Sequence, residues 1–166
     1  MIFMIIIADS IKKIDFSQLA ILCVDEVEQI RKERFRSFEE TKGYDLASEE
    51  FYFYLCSSFF PVGGLYFVYE ENGRYISSVR FDPYEDGYLL NALCTASDVR
   101  RKGHGTRLVE FAFMNLYHSN IYSHVSERNV ISRKFHEKLE FSVLHNYARM
   151  LDGSVRNDHL TYIRKL

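Results

Sequence analysis

The residues of this chain best placed to do chemistry are Arg100-Arg101-Lys102-Gly103-His104-Gly105-Thr106. An apolar run ends just before them at Leu93-Cys94-Thr95, and an apolar helical pattern starts just after. A glycine-containing turn from strand to helix leaves backbone N–H groups free at a helix N-terminus, where the dipole also favours negative charge. Three cations beside those donors point the same way. A lone Gly-x-Gly is more often only a tight turn with solvated neighbours. Its place between strand and helix, with the cations ahead of it, favours a phosphate cradle.

Two nucleotide motifs fail here. A Walker A loop needs Gly, four residues, then Gly-Lys-Ser/Thr, which the stretch lacks. The Rossmann fingerprint starts well at Gly103 and Gly105 but meets Leu108 where its third glycine belongs, and its setting in a first βαβ unit is wrong. Cys23, Cys56 and Cys94 are odd in number and far apart, so neither a zinc pair nor a disulfide framework is expected. No metal site is read.

The elements that must position this turn follow from periodicity. Residues 2–8 are short and isoleucine-rich, which predicts a buried first strand. Leu19, Leu22, Cys23, Val27 and Ile30 recur at helical spacing, with Asp15 or Ser17 as cap and Gly43 just past the end. A second helix starts near Asp45 or Ser48 and runs through Phe51–Phe59 until Pro61 stops it. Strands are expected over 65–70, 74–81 and 88–95, joined by an Asn-Gly turn and a turn over 82–87. A helix over 106–117, a strand over 121–125 and a helix over 129–140 follow, the last with an Ile131, Phe135, Leu139 stripe. Residues 143–163 read as a closing hairpin turning at Asp152-Gly153. The order is β-α-α-β-β-β-α-β-α-β-β, an α/β fold with a mixed central sheet.

At 166 residues the chain suits one domain spanning 1–166. A formal charge of −2 counts against a general nucleic-acid binder. The apolar start is too short for a signal peptide and no run spans a membrane, so a soluble cytoplasmic protein with no membrane partner is expected.

With the motif and the element order in place, the chain resembles the GNAT superfamily of N-acetyltransferases. Arg100-Arg101-Lys102-Gly103-His104-Gly105 is similar to that family's Arg/Gln-x-x-Gly-x-Gly/Ala signature, which follows the fourth strand and opens the third helix. Asn129-Val130-Ile131-Ser132-Arg133-Lys134-Phe135-His136-Glu137-Lys138-Leu139-Glu140-Phe141 is similar to a second family pattern. The element order is the family's topology over essentially the whole chain, so a GNAT-like domain is expected. Glu140 stands where the family usually has glycine.

The resemblance implies acetyl-CoA as acetyl donor. Backbone N–H groups of Arg101, Lys102, Gly103, His104, Gly105 and Thr106 would hold its pyrophosphate, with the Arg100 and Lys102 side chains nearby. Leu93, Cys94 and Thr95 would bond the pantetheine arm. Asn129 and His136 are seven residues apart, about two helical turns, so they share a face. That spacing suits Asn129 on the pantetheine and His136 near the sulfur, as acid or thiolate donor where the family often has tyrosine. No carboxylate sits on the fourth strand, which offers Asn91. Glu85, in the preceding turn with Asp82 and Asp86, is the weak candidate for a base, although a solvated turn is the plainer reading. Cys94 could be a ping-pong nucleophile, but a packed strand cysteine is preferred.

The expected activity is transfer of an acetyl group from acetyl-CoA to a primary amine by direct attack in a ternary complex. The acceptor would be a small-molecule or peptide amine, walled by residues 36–62 and 82–87, where Glu39, Glu40, Asp45, Glu49 and Glu50 would attract a cation. Many relatives pair as homodimers. The alternative from another class is a non-catalytic acyl-CoA-binding module or sensor. A nucleic-acid binder using Arg100, Arg101, Lys102 and Arg107 is a third reading, disfavoured by the balanced charge.

Overall fold

A computed structural model describes residues 3–166. In chain order the elements are β1 (Phe3–Ala8), α1 (Phe16–Leu22), α2 (Val24–Ile30), α3 (Glu40–Tyr54), β2 (Leu65–Glu71), β3 (Arg74–Tyr84), β4 (Gly87–Thr95), α4 (His104–Asn115), β5 (Asn120–Ser126), α5 (Val130–Lys138), β6 (Ser142–His145), β7 (Ala148–Arg149), β8 (Val155–Arg156) and β9 (His159–Lys165). The hydrogen-bonded order of the main sheet is β1-β2-β3-β4-β5-β9-β6, and β7 and β8 make a separate ribbon. β4 and β5 run parallel, Gly87 opposite Asn120 and Leu89 opposite Tyr122, whereas β1–β2, β5–β9 and β6–β9 are antiparallel. Among the described residues no helix is long and apolar enough to cross a membrane.

Two compact units emerge, one of residues up to Arg80 with Ala92–Ala112, the other of Phe81–Asn91 with Phe113–Leu166. In the first, Leu19, Cys23, Val27, Ala47, Phe51, Leu55 and Phe59 of the helical segment pack with Tyr66 and Val68 of β2. A fully buried phenylalanine contributes about 2–3 kcal/mol of hydrophobic stabilisation, so Phe51 and Phe59 are major anchors. β1 is not the buried strand expected. It is an edge strand, and Phe3, Met4 and Ile7 stay exposed; Ile2 of that expectation lies outside the described residues.

The first expected helix is broken in two. Asp15 caps α1 by accepting the Gln18 N–H at 3.2 Å, but Cys23 leaves helical geometry at φ −97°, ψ 36°. α2 then runs into a wider π-helical turn over Arg31–Phe35. Gly43 does not end this helix. It lies inside α3, where an added Cβ would come 3.2 Å from Arg31 Cγ and 3.3 Å from the Phe35 carbonyl, so its small size permits close packing. α3 also starts earlier than Asp45 or Ser48, because Glu39 accepts the Thr41 and Lys42 N–H groups. It passes through a π-helical turn over Leu55–Phe59, and Pro61 sits in a short 3-10 turn just beyond.

In the second unit, β5 and β9 pair from Asn120↔Lys165 to Ser126↔His159. Asn129 caps α5 by accepting the Ser132 N–H at 3.0 Å. The expected stripe is misplaced at one position: Ile131 in the first turn is 86% exposed, while His136 and Leu139 are buried. The closing hairpin divides. β6 pairs with β9, and the chain between them folds back on itself as the β7–β8 ribbon, turning at Gly153.

Candidate active site

In the first unit the basic turn is pinned on its approach side. Arg74 donates from both terminal guanidinium nitrogens to Asp98, at 2.8 and 2.7 Å, and this holds the Asp98 carboxyl down at about 2. The Ala96 N–H donates to the Ile76 carbonyl at 2.9 Å. Arg101 and Gly103 then adopt left-handed backbone, φ 65° and 83°, which reverses the chain into α4. The Arg107 N–H bonds the Gly103 carbonyl at 3.0 Å. The amides of His104, Gly105 and Thr106 precede that bond and face out of the helix end. Gly105 is the point of closest approach to β4, since an added Cβ would lie 3.2 Å from Thr95 Oγ1 and 3.6 Å from Leu93 Cδ1.

The side chains around the turn divide by role. Arg101 and Lys102 are exposed, free to meet an anion. Arg100 is directed back onto the protein: its Nε donates to the Thr95 carbonyl at 3.1 Å, and a terminal nitrogen lies 3.8 Å from Asp25. It lines a cavity of about 300 Å³ with Gln18, Leu22, Tyr75, Thr95 and Ser97. The His104 ring stacks on Tyr69 of β2, with centroids 5.4 Å apart. On β4, Ala92 has φ 47°, and the Cys94 carbonyl accepts the Ser77 hydroxyl at 2.7 Å. Hydrogen bonding with Cys23, then burial, push the Cys94 thiol up, which disfavours the thiolate that a nucleophile needs.

Sequence reasoning missed a charged pair in this unit. Arg80, 6% exposed, donates to Glu26 at 2.7 Å and lies over the rings of Tyr54 and Phe59, at 5.2 and 5.6 Å. A signal was present: an arginine and an aspartate at alternate positions of an otherwise apolar strand, Val79-Arg80-Phe81-Asp82. Asp82 is not a turn residue as expected. It is buried within β3 and accepts from Asn91 Nδ2 at 3.4 Å. Of the five acids expected to draw a cation, Glu39 is committed to capping α3 and Glu50 to an ion pair with Arg34.

The second unit holds the other expected residues. His136 is 4% exposed, among the rings of Phe135, Phe141 and Tyr162. Its Nδ1 lies 2.7 Å from the Ser132 carbonyl, and a carbonyl only accepts, so Nδ1 carries the proton. Burial lowers the ring's pKa and keeps it neutral. Nε2 is then a bare lone pair with no hydrogen-bond partner. The single N–H of the neutral ring is committed to Ser132, so donation from Nε2 requires a second proton on the ring. Asn129 uses its side-chain oxygen as the helix cap. Glu85, at φ 48° in the β3–β4 turn, lines a second cavity of about 300 Å³ with Tyr84, Tyr122, His145, Tyr147 and Arg149.

The matching family model is the Acetyltransferase (GNAT) family, over residues 24–141. The chain belongs to that family, and acyl transfer is its class of activity. Solved structures share the fold at low identity. An acetyltransferase assigned to the GNAT family from Desulfovibrio desulfuricans is 15% identical, with 99% of each chain covered and a TM-score of 0.66. The PaiA N-acetyltransferase from Thermoplasma acidophilum, solved with coenzyme A, is 13% identical over 98% of this chain and 99% of that one, TM-score 0.63. The ribosomal-protein-S18-alanine N-acetyltransferase from Escherichia coli is 19% identical over 96% and 92%, TM-score 0.61. Among curated proteins none matches the chain.

Proposed function

We propose that the chain, acting as one acetyltransferase domain in the cytoplasm, moves an acetyl group from acetyl-CoA to a primary amine. The observation that carries this reading is the turn into α4. Left-handed backbone at Arg101 and Gly103 leads into a row of opening α4 amides that lack an i−4 partner within the helix, with two exposed cations beside it. A pyrophosphate is the natural guest of such a row. The amides of Arg101–Thr106 hold it, Lys102 adds charge, and the β4 segment Leu93–Thr95 runs beside the pantetheine. The bound coenzyme A of the Thermoplasma protein supports the choice of donor.

Positioning supplies most of the catalysis, because a thioester already has a good leaving group. The amine nitrogen bonds to the carbonyl carbon, the C–S bond breaks, and one proton passes from nitrogen to sulfur to give CoA thiol. The protonated state of Cys94 supports direct attack over a cysteine-bound intermediate. Asn129 caps α5 and the buried His136 packs on its inner face.

The second reading, an acyl-CoA sensor, is favoured by one observation: the committed N–H of His136 leaves no donor at the position of the family tyrosine. Acetyl-CoA and CoA should each raise the melting temperature, and an amine panel should then produce acceptor-dependent thiol release. Tight binding with no turnover on any amine would favour the sensor.

A further inference from the structure

The cavity of the second unit is built from a fixed frame and two unused charges. Tyr84 donates its hydroxyl to the Arg149 carbonyl at 3.0 Å, and Thr161 donates to the Tyr147 carbonyl at 2.6 Å. These bonds fasten the segment after β6 over the sheet. Tyr122 donates to Asp86 at 2.6 Å, and Asn120 donates to the other oxygen of the same carboxylate at 2.7 Å. Asp86 is thereby satisfied. The rings hold one another as well: Tyr84 meets Tyr122 edge to face at 5.2 Å, and His145 stacks on Tyr147 at 5.0 Å and 14°.

Within this frame, the side chains of Glu85 and Arg149 both line the cavity, and among the described residues neither makes an ion pair. Glu85 lies at φ 48°, the backbone conformation of the tight β3–β4 hairpin turn. A carboxylate and a guanidinium facing one volume of about 300 Å³ complement a ligand that carries both an ammonium and a carboxylate. The tyrosine faces favour the ammonium further and suit a flat or aliphatic side chain.

We propose that this cavity takes a small zwitterionic amine of the amino-acid type. Its ammonium faces Glu85 and the tyrosine rings, and its carboxylate pairs with Arg149. This binding chemistry stands independently of the acetyl-transfer reading. A peptide N-terminus brings the ammonium without the neighbouring carboxylate and leaves Arg149 unused.

The test is titration calorimetry of the whole protein with free aromatic and aliphatic amino acids, their methyl esters, and short peptides beginning with the same residues. Free amino acids should bind at least roughly tenfold tighter than their esters or peptides. Arg149→Met should erase that preference and leave ester binding within about twofold, whereas Glu85→Gln should weaken acid and ester alike. Both side chains are exposed, so unchanged melting temperatures verify the fold. Equal binding of acids, esters and peptides, no binding of any of them, or a preference untouched by Arg149→Met overturns the proposal. The predicted amino-acid binding in a protein that ignores acetyl-CoA upholds the cavity and removes acetyl transfer.

Discussion

Gly105 and Thr95 are close enough that a Cβ on the glycine would stand 3.2 Å from Thr95 Oγ1, and that hydroxyl is itself 3.0 Å from Ser77 Oγ. The first turn of α4 is therefore seated against the end of β4, and a side chain at Gly105 must push the Thr95 hydroxyl aside. Gly105→Val should overpack this contact, cost about 1–3 kcal/mol in urea unfolding, and weaken acetyl-CoA binding roughly tenfold. Full affinity in a stable Gly105→Val protein would show that the turn does not hold the cofactor.

Gly103 separates backbone from packing. At φ 83°, with nothing within 4 Å of an added Cβ, its replacement meets no clash. Gly103→Ala should cost about 1–2 kcal/mol through the left-handed backbone alone. Acetyl-CoA binding should fall with it, because the amide row changes shape. Calorimetry beside denaturant unfolding separates the two effects.

Most strands and the glycine turn into α4 were legible because period-two alternation, Asn72-Gly73 and the Gly103/Gly105 spacing are local signals. The break at Cys23 was not. There a buried thiol lies 3.4 Å from Ser78 Oγ, 55 residues away, a contact that no local pattern announces. The start of α3 was hidden because glutamate is an unusual cap. For His136, spacing alone gave a place on α5 but could not show burial against Phe141 and Tyr162, which lowers its pKa. The cavity around Glu85 and Arg149 joins residues 84–85, 122 and 144–161, a meeting that only strand order creates.

The Arg80–Glu26 pair makes a stability prediction. Arg80→Met should keep the packing over Tyr54 and Phe59 but leave the Glu26 carboxylate with one oxygen buried and partnerless and the other newly stripped of its cation. Breaking a buried pair from one side costs about 3–5 kcal/mol, and partial exposure of Glu26 places this case near the lower end. Chemical denaturation measures it; a loss below roughly 1 kcal/mol would mean that the pair contributes little.

His124 sets a pH dependence. Burial holds its pKa at about 4, and neither ring nitrogen has a hydrogen-bond partner. Because the folded value lies below the ordinary 6.5, the unfolded chain binds more protons between the two values. Stability is therefore fully present above about 6.5 and declines as pH falls toward 4. The lowered pKa of buried His136 acts in the same direction. Melting temperatures over that range should fall less steeply for His124→Phe than for the parent protein.

His136 should prove dispensable for proton transfer. Since its N–H is committed to Ser132, His136→Phe should keep kcat within about twofold at saturating acetyl-CoA, provided the variant stays folded. A large fall in kcat with an unchanged melting curve would restore a chemical role.

The most direct measurement is calorimetric titration of the protein with acetyl-CoA, alongside the Gly103→Ala variant. Saturable binding at one molecule per chain, weakened in the variant, is the predicted result. A parent protein that binds no acetyl-CoA, or a variant that binds it equally well, would contradict the assignment of residues 100–106 as the pyrophosphate cradle.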